Sequence, residues 1–484
     1  MIRCIGVIVG ISLIYSLHAE YFLIQGRDSS YAGSEIAFYY YSNPLLLKEE
    51  KLASSTVHDN GEFSLRINVN KALLTFCYLG VHKCYLYAEP GFSYTILLPP
   101  KRDKTPQDLL NPYFIYEESY LFPVRITDNK GQTIEQINKN FLITTIEQVY
   151  ASIYEKIAFN LIYNIRTRNL DSLLYTMDSV CTAANDSFIT SYCNYKKAKL
   201  EYLAMKRTPE KIAQKYFTTE QSLDNPAAID LFHTLLANYF KDVANRKNGE
   251  ILLTAINKDS SLAKVIQVIE NNFPLVNESI RQLILLKSLY DAFYTNYFNR
   301  RSIIHLLHSY LTHPSSLYTS YAHEIKEKIT QLHTGYPAPS FHLHDQEGRD
   351  FQLSLVLGKY VYLNFMHIDH HACIKDINIL KDYREKFAGQ LQIVSIITGE
   401  NAHKVYQFIK RNNIGWTCLY APMGHNVFSD YNIKAFPVYY LLDKEGRLLQ
   451  SPAQSPDEQF ESYFYEMLKS RKETIPQKEF NLFR

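Results

Sequence analysis

Glycine is scarce in this chain, with only 17 among 484 residues. Loops that cradle phosphates depend on glycine, and the sequence contains neither a Gly-x-x-x-x-Gly-Lys-Ser/Thr loop nor a dinucleotide-binding glycine fingerprint after a strand. His-Glu-x-x-His and Gly-x-Ser-x-Gly are missing as well. These absences exclude the common nucleotide-binding, metalloprotease and serine-hydrolase signatures, and the sequence predicts no cofactor.

A strong charge of either sign is also lacking. The chain carries 51 basic and 49 acidic residues, a formal net charge of +2. Nucleic-acid binders concentrate positive charge on one face or segment, so the sequence predicts no nucleic-acid partner. Tryptophan occurs once whereas tyrosine occurs 39 times, a pattern typical of aromatic packing with polar tips that identifies no ligand.

The N-terminus has the order of a secretory signal. Arg3 precedes an apolar run at residues 5–17, and His18, Ala19 and Glu20 follow it, which predicts a signal peptide at residues 1–19 with cleavage after Ala19. The run is shorter than the roughly 20 residues that span a bilayer, and no later run is long enough. We therefore expect an exported protein, periplasmic or associated with the cell envelope, without a membrane span after signal removal.

Six of the seven cysteines follow the predicted signal. An even number in an oxidising compartment favours disulfides. Two pairs lie close in sequence, Cys77 with Cys84 and Cys181 with Cys193, and each is a candidate local bridge. Free buried cysteines that act as small hydrophobes are an equally good interpretation, because the sequence does not supply the Cα separation that a bridge requires.

Hydrophobic periodicity divides the chain into a signal and three domains. Short β-rich runs with turn signals predict a β-sandwich domain at residues 20–131. A helical period follows and predicts a helical domain at residues 132–334. The segment GYPAP at residues 335–339 marks the next boundary, and the alternating strand and helix patterns of residues 335–484 predict an α/β fold.

Several ordered motifs of the last domain carry a family resemblance. They are APSF at 338–341, DQEG at 345–348, GKYVYLNF at 358–365, Cys373 at the start of a helix, and FPVYYLLDKEG at 436–446. Together they resemble the thioredoxin-like envelope proteins of the TlpA and AhpC/TSA type, which are related to thiol-disulfide oxidoreductases. The domain order also resembles a multidomain group of Bacteroidetes bacteria. The resemblance implies a thioredoxin-like fold for residues 335–484.

The same resemblance indicates a degenerate active site. The nucleophilic cysteine of the family falls on His370, and Cys373 matches the more buried resolving cysteine. Pro437 matches the proline that the family holds in cis beside its cysteines, where an extended peptide or an envelope protein docks in a groove. Disulfide exchange needs an attacking thiolate and a resolving thiol, so a two-cysteine cycle within this motif is impossible.

The sequence leaves three functions open. In the first, the domain is a redox-inactive binding or scaffolding module. In the second, Cys373 acts as a single thiol, with Cys418 as the candidate resolving cysteine. The helix dipole and His370 or His371 would favour the thiolate form of Cys373. The third hypothesis is a zinc or copper site. Its candidate ligands are His367, Asp369, His370, His371 and Cys373.

Overall fold

Alternation of apolar and polar residues produces the strands of the N-terminal region. In β4, Glu62–Asn68, every second side chain is buried, as expected for a strand with one face on a core. The computed structural model describes residues 21–471 except 70, 106–107, 109–110, 112–113, 129, 135–138, 164, 166–169, 183–185, 206 and 218–222. The predicted signal peptide lies outside the described residues.

Among the described residues of this region, nine strands form two sheets. One sheet has the order β4-β1-β7-β9 and the other β3-β2-β5-β6-β8. A single hydrophobic cluster includes Phe22 and Tyr94 from the first sheet and Phe38 and Leu86 from the second. The strands are β1 Tyr21–Arg27, β2 Glu35–Asn43, β3 Lys48–Thr56, β4 Glu62–Asn68, β5 Leu73–Leu79, β6 His82–Ala88, β7 Phe92–Ile96, β8 Glu117–Tyr120 and β9 Pro123–Asp128.

A helical region follows, as the sequence predicts. Asp186 and Asn225 begin two of its helices by accepting a hydrogen bond from a backbone N–H in the first turn, a common N-cap. The helices are α1 Lys139–Ile162, α2 Leu170–Thr182, α3 Ser187–Leu203, α4 Pro209–Tyr216, α5 Pro226–Leu236, α6 Tyr239–Ala244, α7 Gly249–Asn257, α8 Leu262–Asn272, α9 Glu278–Phe293, α10 Arg300–Tyr310 and α11 Ser316–Thr330.

The C-terminal region alternates strands and helices around one seven-stranded sheet. Its order is β11-β10-β14-β13-β12-β15-β16, with β12, β13 and β14 parallel. The elements are β10 Leu343–Asp345, β11 Asp350–Phe351, β12 Tyr360–His367, α12 His371–Lys386, β13 Leu391–Thr398, α13 Ala402–Arg411, β14 Thr417–Tyr420, α14 Asn426–Asp430, β15 Val438–Leu442, β16 Leu448–Ala453 and α15 Phe460–Ser470. The predicted α/β character of this region is confirmed.

Both faces of this sheet are buried, which explains why β12 is a nearly continuous apolar run. Tyr360, Tyr362 and Met366 belong to a cluster with residues of α12, α13 and α15. Leu363 and Phe365 belong to a second cluster that contains residues of α14. The sheet is therefore the middle layer of three.

The described chain divides into two compact units. One comprises residues 21–103 and 116–297, and the other residues 104–115 and 298–471. The strand-rich and helical regions both exist, whereas the boundaries predicted near residues 131 and 334 stay predictions. Among the described residues no helix combines the length and the apolar character needed to cross a membrane.

The two candidate disulfides differ. Cys181 and Cys193, in α2 and α3, are bonded, with their Cα atoms 6.2 Å apart. Cys77 and Cys84 are both free and buried. Cys373 and Cys418 are also free and buried.

Candidate functional site

The candidate site lies where β12 ends and α12 begins. His367 is the last residue of β12, and His370 is the N-cap of α12. The main-chain N–H of His370 donates to the carbonyl of His367 at 3.1 Å, and the carbonyl of His370 accepts from the N–H of Ile374 at 3.2 Å. His370 thus stands at the mouth of the helix, one turn before Cys373.

The segment at Pro437 lies beside this corner. Phe365 of β12 pairs with Val438, the first residue of β15, so the preceding residues 436–437 run past the end of β12. The rings of His367 and Phe436 are 5.8 Å apart between centroids. The Phe436–Pro437 peptide bond is cis, and Phe436, Pro437 and Val438 are each partly exposed.

Cys373 faces the interior and not solvent. Its side chain is fully buried in the cluster with α12, α13 and α15. Burial raises the pKa of the Cys373 thiol to about 11. The charge of Asp376 adds to this rise, and a main-chain hydrogen bond from His367 opposes it. At pH 7 only about 10⁻⁴ of such a thiol is ionised. The thiolate that the helix dipole would favour is therefore suppressed by burial.

The candidate resolving cysteine is held in the middle of the sheet. Cys418 aligns with Ser395 of β13, and Ser395 aligns with Asn364 of β12. Strand β13 thus separates β12 from β14, and the two outer strands are about 10 Å apart. Cys418 is level with Asn364, which lies three residues before the end of β12. Burial also raises the pKa of Cys418 far above its usual range. The geometry does not bring Cys418 to the corner that holds His370.

The candidate metal ligands share one loop without converging. The Nδ1 atom of His367 already accepts the main-chain N–H of Asp369 at 3.2 Å, and it lies 3.8 Å from the Asp369 carboxylate. Burial lowers the pKa of His367. His371 is exposed on the first turn of α12 whereas Cys373 is buried. Within the described ranges, no three His, Cys, Asp or Glu side chains are placed to hold a metal ion, so the metal hypothesis stays a prediction.

A buried acid and a tyrosine adjoin Cys373, and sequence reasoning missed both. Asp376 follows Cys373 by three residues on the same face of α12, and the hydroxyl of Tyr439 donates to its carboxylate at 2.6 Å. Both residues are buried. Burial raises the pKa of Asp376, and the Tyr439 hydrogen bond opposes that rise. The sequence signal that could have found Asp376 is its spacing of three residues from Cys373, which places both on one face of a helix.

Comparison with known proteins supports the C-terminal resemblance. Residues 334–451 match the AhpC/TSA family. The thiol-disulfide oxidoreductase ResA of Bacillus subtilis (strain 168) is 28% identical over 126 residues, which are 26% of this chain and 68% of that protein. ResA of Geobacillus thermodenitrificans is 29% identical over 132 residues, 27% of this chain and 75% of that protein.

Solved structures also match part of this chain. The thioredoxin domain of a thiol-disulfide oxidoreductase from Bacteroides vulgatus matches with 23% identity and a TM-score of 0.26, covering 27% of this chain and 96% of that one. The family match falls within the region of the seven-stranded sheet. The C-terminal region is a thioredoxin-like domain.

Proposed function

We propose that this chain is an exported binding or scaffolding protein whose thioredoxin-like domain has lost dithiol exchange. The observation that carries the proposal is the pairing of His370, at the helix mouth, with a single buried thiol at Cys373. The thioredoxin-like framework of this domain stays intact around that pair. Folds host functions through specific side chains, so a framework without its chemical groups serves recognition.

Thiol reactivity supports this choice over the monothiol alternative. The attacking species in disulfide exchange is the thiolate, and burial keeps Cys373 protonated at neutral pH because its pKa is about 11. Cys418 lies on a strand that β13 separates from β12. A mixed disulfide on Cys373 would therefore form slowly and find no resolving partner nearby.

The proposed binding surface is the groove beside Pro437. Phe436 and His367 contribute partly exposed rings that contact each other, and the backbone ahead of Val438 has not yet entered the sheet. Exposed aromatic groups beside an unpaired backbone segment suit an extended peptide, whose main chain pairs while its side chains contact the rings. The partner in this proposal is an unfolded or extended segment of an envelope protein.

Two further features belong to this proposal. The apolar run at residues 5–17 supports export through a signal peptide. The cluster that joins Phe22 with Phe38 supports a sandwich arrangement of the two N-terminal sheets, since sheets that pack face to face share one apolar core.

An insulin-reduction assay tests the loss of chemistry. With dithiothreitol as the reductant, we expect the full chain and Cys373→Ser to give the same turbidity curve as the reductant alone. An acceleration by the wild type that Cys373→Ser abolishes would establish the monothiol function instead. Metal analysis of untagged protein is the third arm, since stoichiometric zinc or copper would favour the metal site.

A peptide-binding assay tests the groove. The probe is the reduced and alkylated insulin B chain carrying a fluorophore, and the readout is fluorescence polarisation. Phe436→Ala should weaken binding by at least about tenfold, the scale of one lost aromatic anchor. Leu355→Ala, which removes an apolar side chain that is 62% exposed elsewhere in the same domain, is the matched control and should bind as the wild type does.

A further inference from the structure

The hairpin of β5 and β6 brings two thiols face to face. Cys77 and Cys84 are directly opposite each other in the antiparallel register. Residues at such positions have Cα atoms about 4.5–5.5 Å apart, and disulfides form over roughly 4.4–6.8 Å. The strand pairing alone therefore holds these two residues at bonding separation.

The two side chains also point to the same face and interact. Both belong to the core cluster of the strand-rich region, and the interaction between the two thiols shifts the pKa of each. The Sγ atom of Cys84 lies 3.6 Å from the hydroxyl of Ser119 in β8.

We infer that Cys77 and Cys84 are a redox-active pair that closes reversibly into a cross-strand disulfide. Cys84 is the attacking thiol, Cys77 is the resolving thiol, and the oxidant is a disulfide compound such as oxidised glutathione. This inference concerns the strand-rich region and does not depend on the function proposed for the thioredoxin-like domain.

The surroundings of the two sulfurs assign the two roles. The Ser119 hydroxyl lies 3.6 Å from the Cys84 sulfur, and interactions with Cys77 and with Ser119 lower the pKa of Cys84. The interaction between the two thiols, together with burial, raises the pKa of Cys77. The thiol with the lower pKa forms its thiolate first.

Access to the pair runs across the edge of the sheet. Both cysteines are fully buried, but β8 is an edge strand of four residues. Ser119, which aligns with Cys84, is itself exposed. Local opening of a short edge strand requires less free energy than global unfolding, and it would uncover Cys84 before Cys77.

The exchange balances in two steps. The Cys84 thiolate attacks one sulfur of the oxidised compound, a mixed disulfide forms, and the other half leaves as a thiolate that takes up the proton released by Cys84. Cys77 then loses its proton and attacks the Cys84 sulfur, which releases the second half as a thiol. Two protein thiols are oxidised by two electrons, and one external disulfide is reduced to two thiols.

Mass spectrometry of the full chain tests the pair. The protein is incubated with oxidised glutathione and unfolded in acid, and its free thiols are alkylated before digestion. We expect the alkylated forms of Cys77 and Cys84 to disappear together as a cross-linked peptide appears, and dithiothreitol to reverse the change. If both remain alkylated as fully as Cys373 and Cys418, the inference is wrong.

Single variants test the order of attack. Cys77→Ala should accumulate a glutathione adduct on Cys84 several-fold faster than Cys84→Ala accumulates one on Cys77, because Ser119 still lies 3.6 Å from the Cys84 sulfur and local opening of β8 uncovers Cys84 first. Ser119→Ala should slow the adduct on Cys84 several-fold, since the sulfur loses a donor. A faster adduct on Cys77 would overturn the assignment of Cys84 as the attacking thiol.

Discussion

The β5–β6 hairpin and the β12–α12 corner place cysteines in opposite settings. In the hairpin, a thiol faces a second thiol across a strand pair. At the corner, Cys373 is a single buried thiol one turn after His370. The difference teaches that the setting of a thiol depends on its immediate neighbours, and that a hairpin supplies the geometry of a pair wherever two cysteines meet in register.

The pKa values of the thiols also differ between the two regions. Interactions with Cys77 and Ser119 lower the pKa of Cys84. Burial and the Asp376 carboxylate raise the pKa of Cys373. The strand-rich region therefore holds the thiol that ionises more readily.

Alkylation as a function of pH tests this contrast most directly. For the native chain, the rate of iodoacetamide reaction at Cys373 should rise about tenfold per pH unit between pH 7 and pH 10, about 10³-fold in all, because the thiolate fraction grows up to a pKa of about 11. Site-resolved mass spectrometry gives the rate, and the urea-unfolded chain is the control. A plateau below pH 9 in the native chain would contradict the buried, protonated thiol.

The proposed loss of dithiol chemistry should be reversible by one substitution. His370→Cys recreates the Cys-x-x-Cys spacing with Cys373, at an N-cap where a thiol commonly has a pKa near 7. Its higher thiolate content outweighs its lower intrinsic nucleophilicity, so we expect the new thiol to attack disulfides on the order of 10²-fold faster than Cys373 does in the wild type. Insulin turbidity should then develop faster than with dithiothreitol alone.

His371→Cys is the matched control for that gain. It adds a cysteine one residue later, on the first turn of α12, where the spacing to Cys373 is wrong. We expect no gain in insulin reduction from this variant. Equal activity in the two variants would mean that an added surface thiol, and not the restored pair, carries the chemistry.

Local sequence rules account for most of the thioredoxin-like fold. Asp345 and Asp443 each begin a turn of the pattern Asp-x-x-Gly, and each side chain accepts hydrogen bonds from two main-chain N–H groups that follow it. Such contacts span only a few residues, so the motif itself contains them. The predicted position of Pro437 beside the corner follows from the same ordered motifs.

Long-range chemistry could not be predicted in this way. The Tyr439 hydroxyl reaches Asp376 across 63 positions of sequence, and no local pattern connects them. The state of the cysteine pairs was equally hidden, since Cys181–Cys193 is bonded and Cys77 and Cys84 are free although both pairs are close in sequence. Spacing gives proximity, whereas the state of each sulfur depends on tertiary packing.

The bonded pair offers a stability reference for the hairpin pair. The double variant Cys181→Ala, Cys193→Ala opens a loop with a sequence separation of 12, and the loop-entropy relation predicts a loss of about 3 kcal/mol in the free energy of unfolding. Circular dichroism in urea measures it. The double variant Cys77→Ala, Cys84→Ala removes no bond when it is compared with the wild type in dithiothreitol. Its loss in the free energy of unfolding should be smaller than that of the Cys181→Ala, Cys193→Ala variant, and a larger loss would contradict this expectation.

The environment of Cys373 predicts a smaller, pH-dependent effect. Tyr439→Phe leaves the buried Asp376 carboxylate without its hydroxyl donor and should lower the free energy of unfolding by about 2 kcal/mol at pH 7. Burial already raises the pKa of Asp376, and loss of the hydroxyl donor raises it further. A carboxyl whose pKa is higher in the folded chain than in the unfolded chain lowers stability as the pH rises above the pKa of the unfolded chain. The loss should therefore shrink toward pH 4, where the carboxyl is protonated.

Trp416, the single tryptophan, reports this transition because it is buried in the same cluster as Tyr439. Tyr440→Phe is the matched control, since the Tyr440 hydroxyl is buried too but donates to the main-chain carbonyl of Tyr431, a neutral acceptor. Its stability loss should be the same at pH 4 and pH 7. If the Tyr439→Phe loss were equally independent of pH, Asp376 would not be the charge that faces Cys373, and burial alone would keep that thiol protonated.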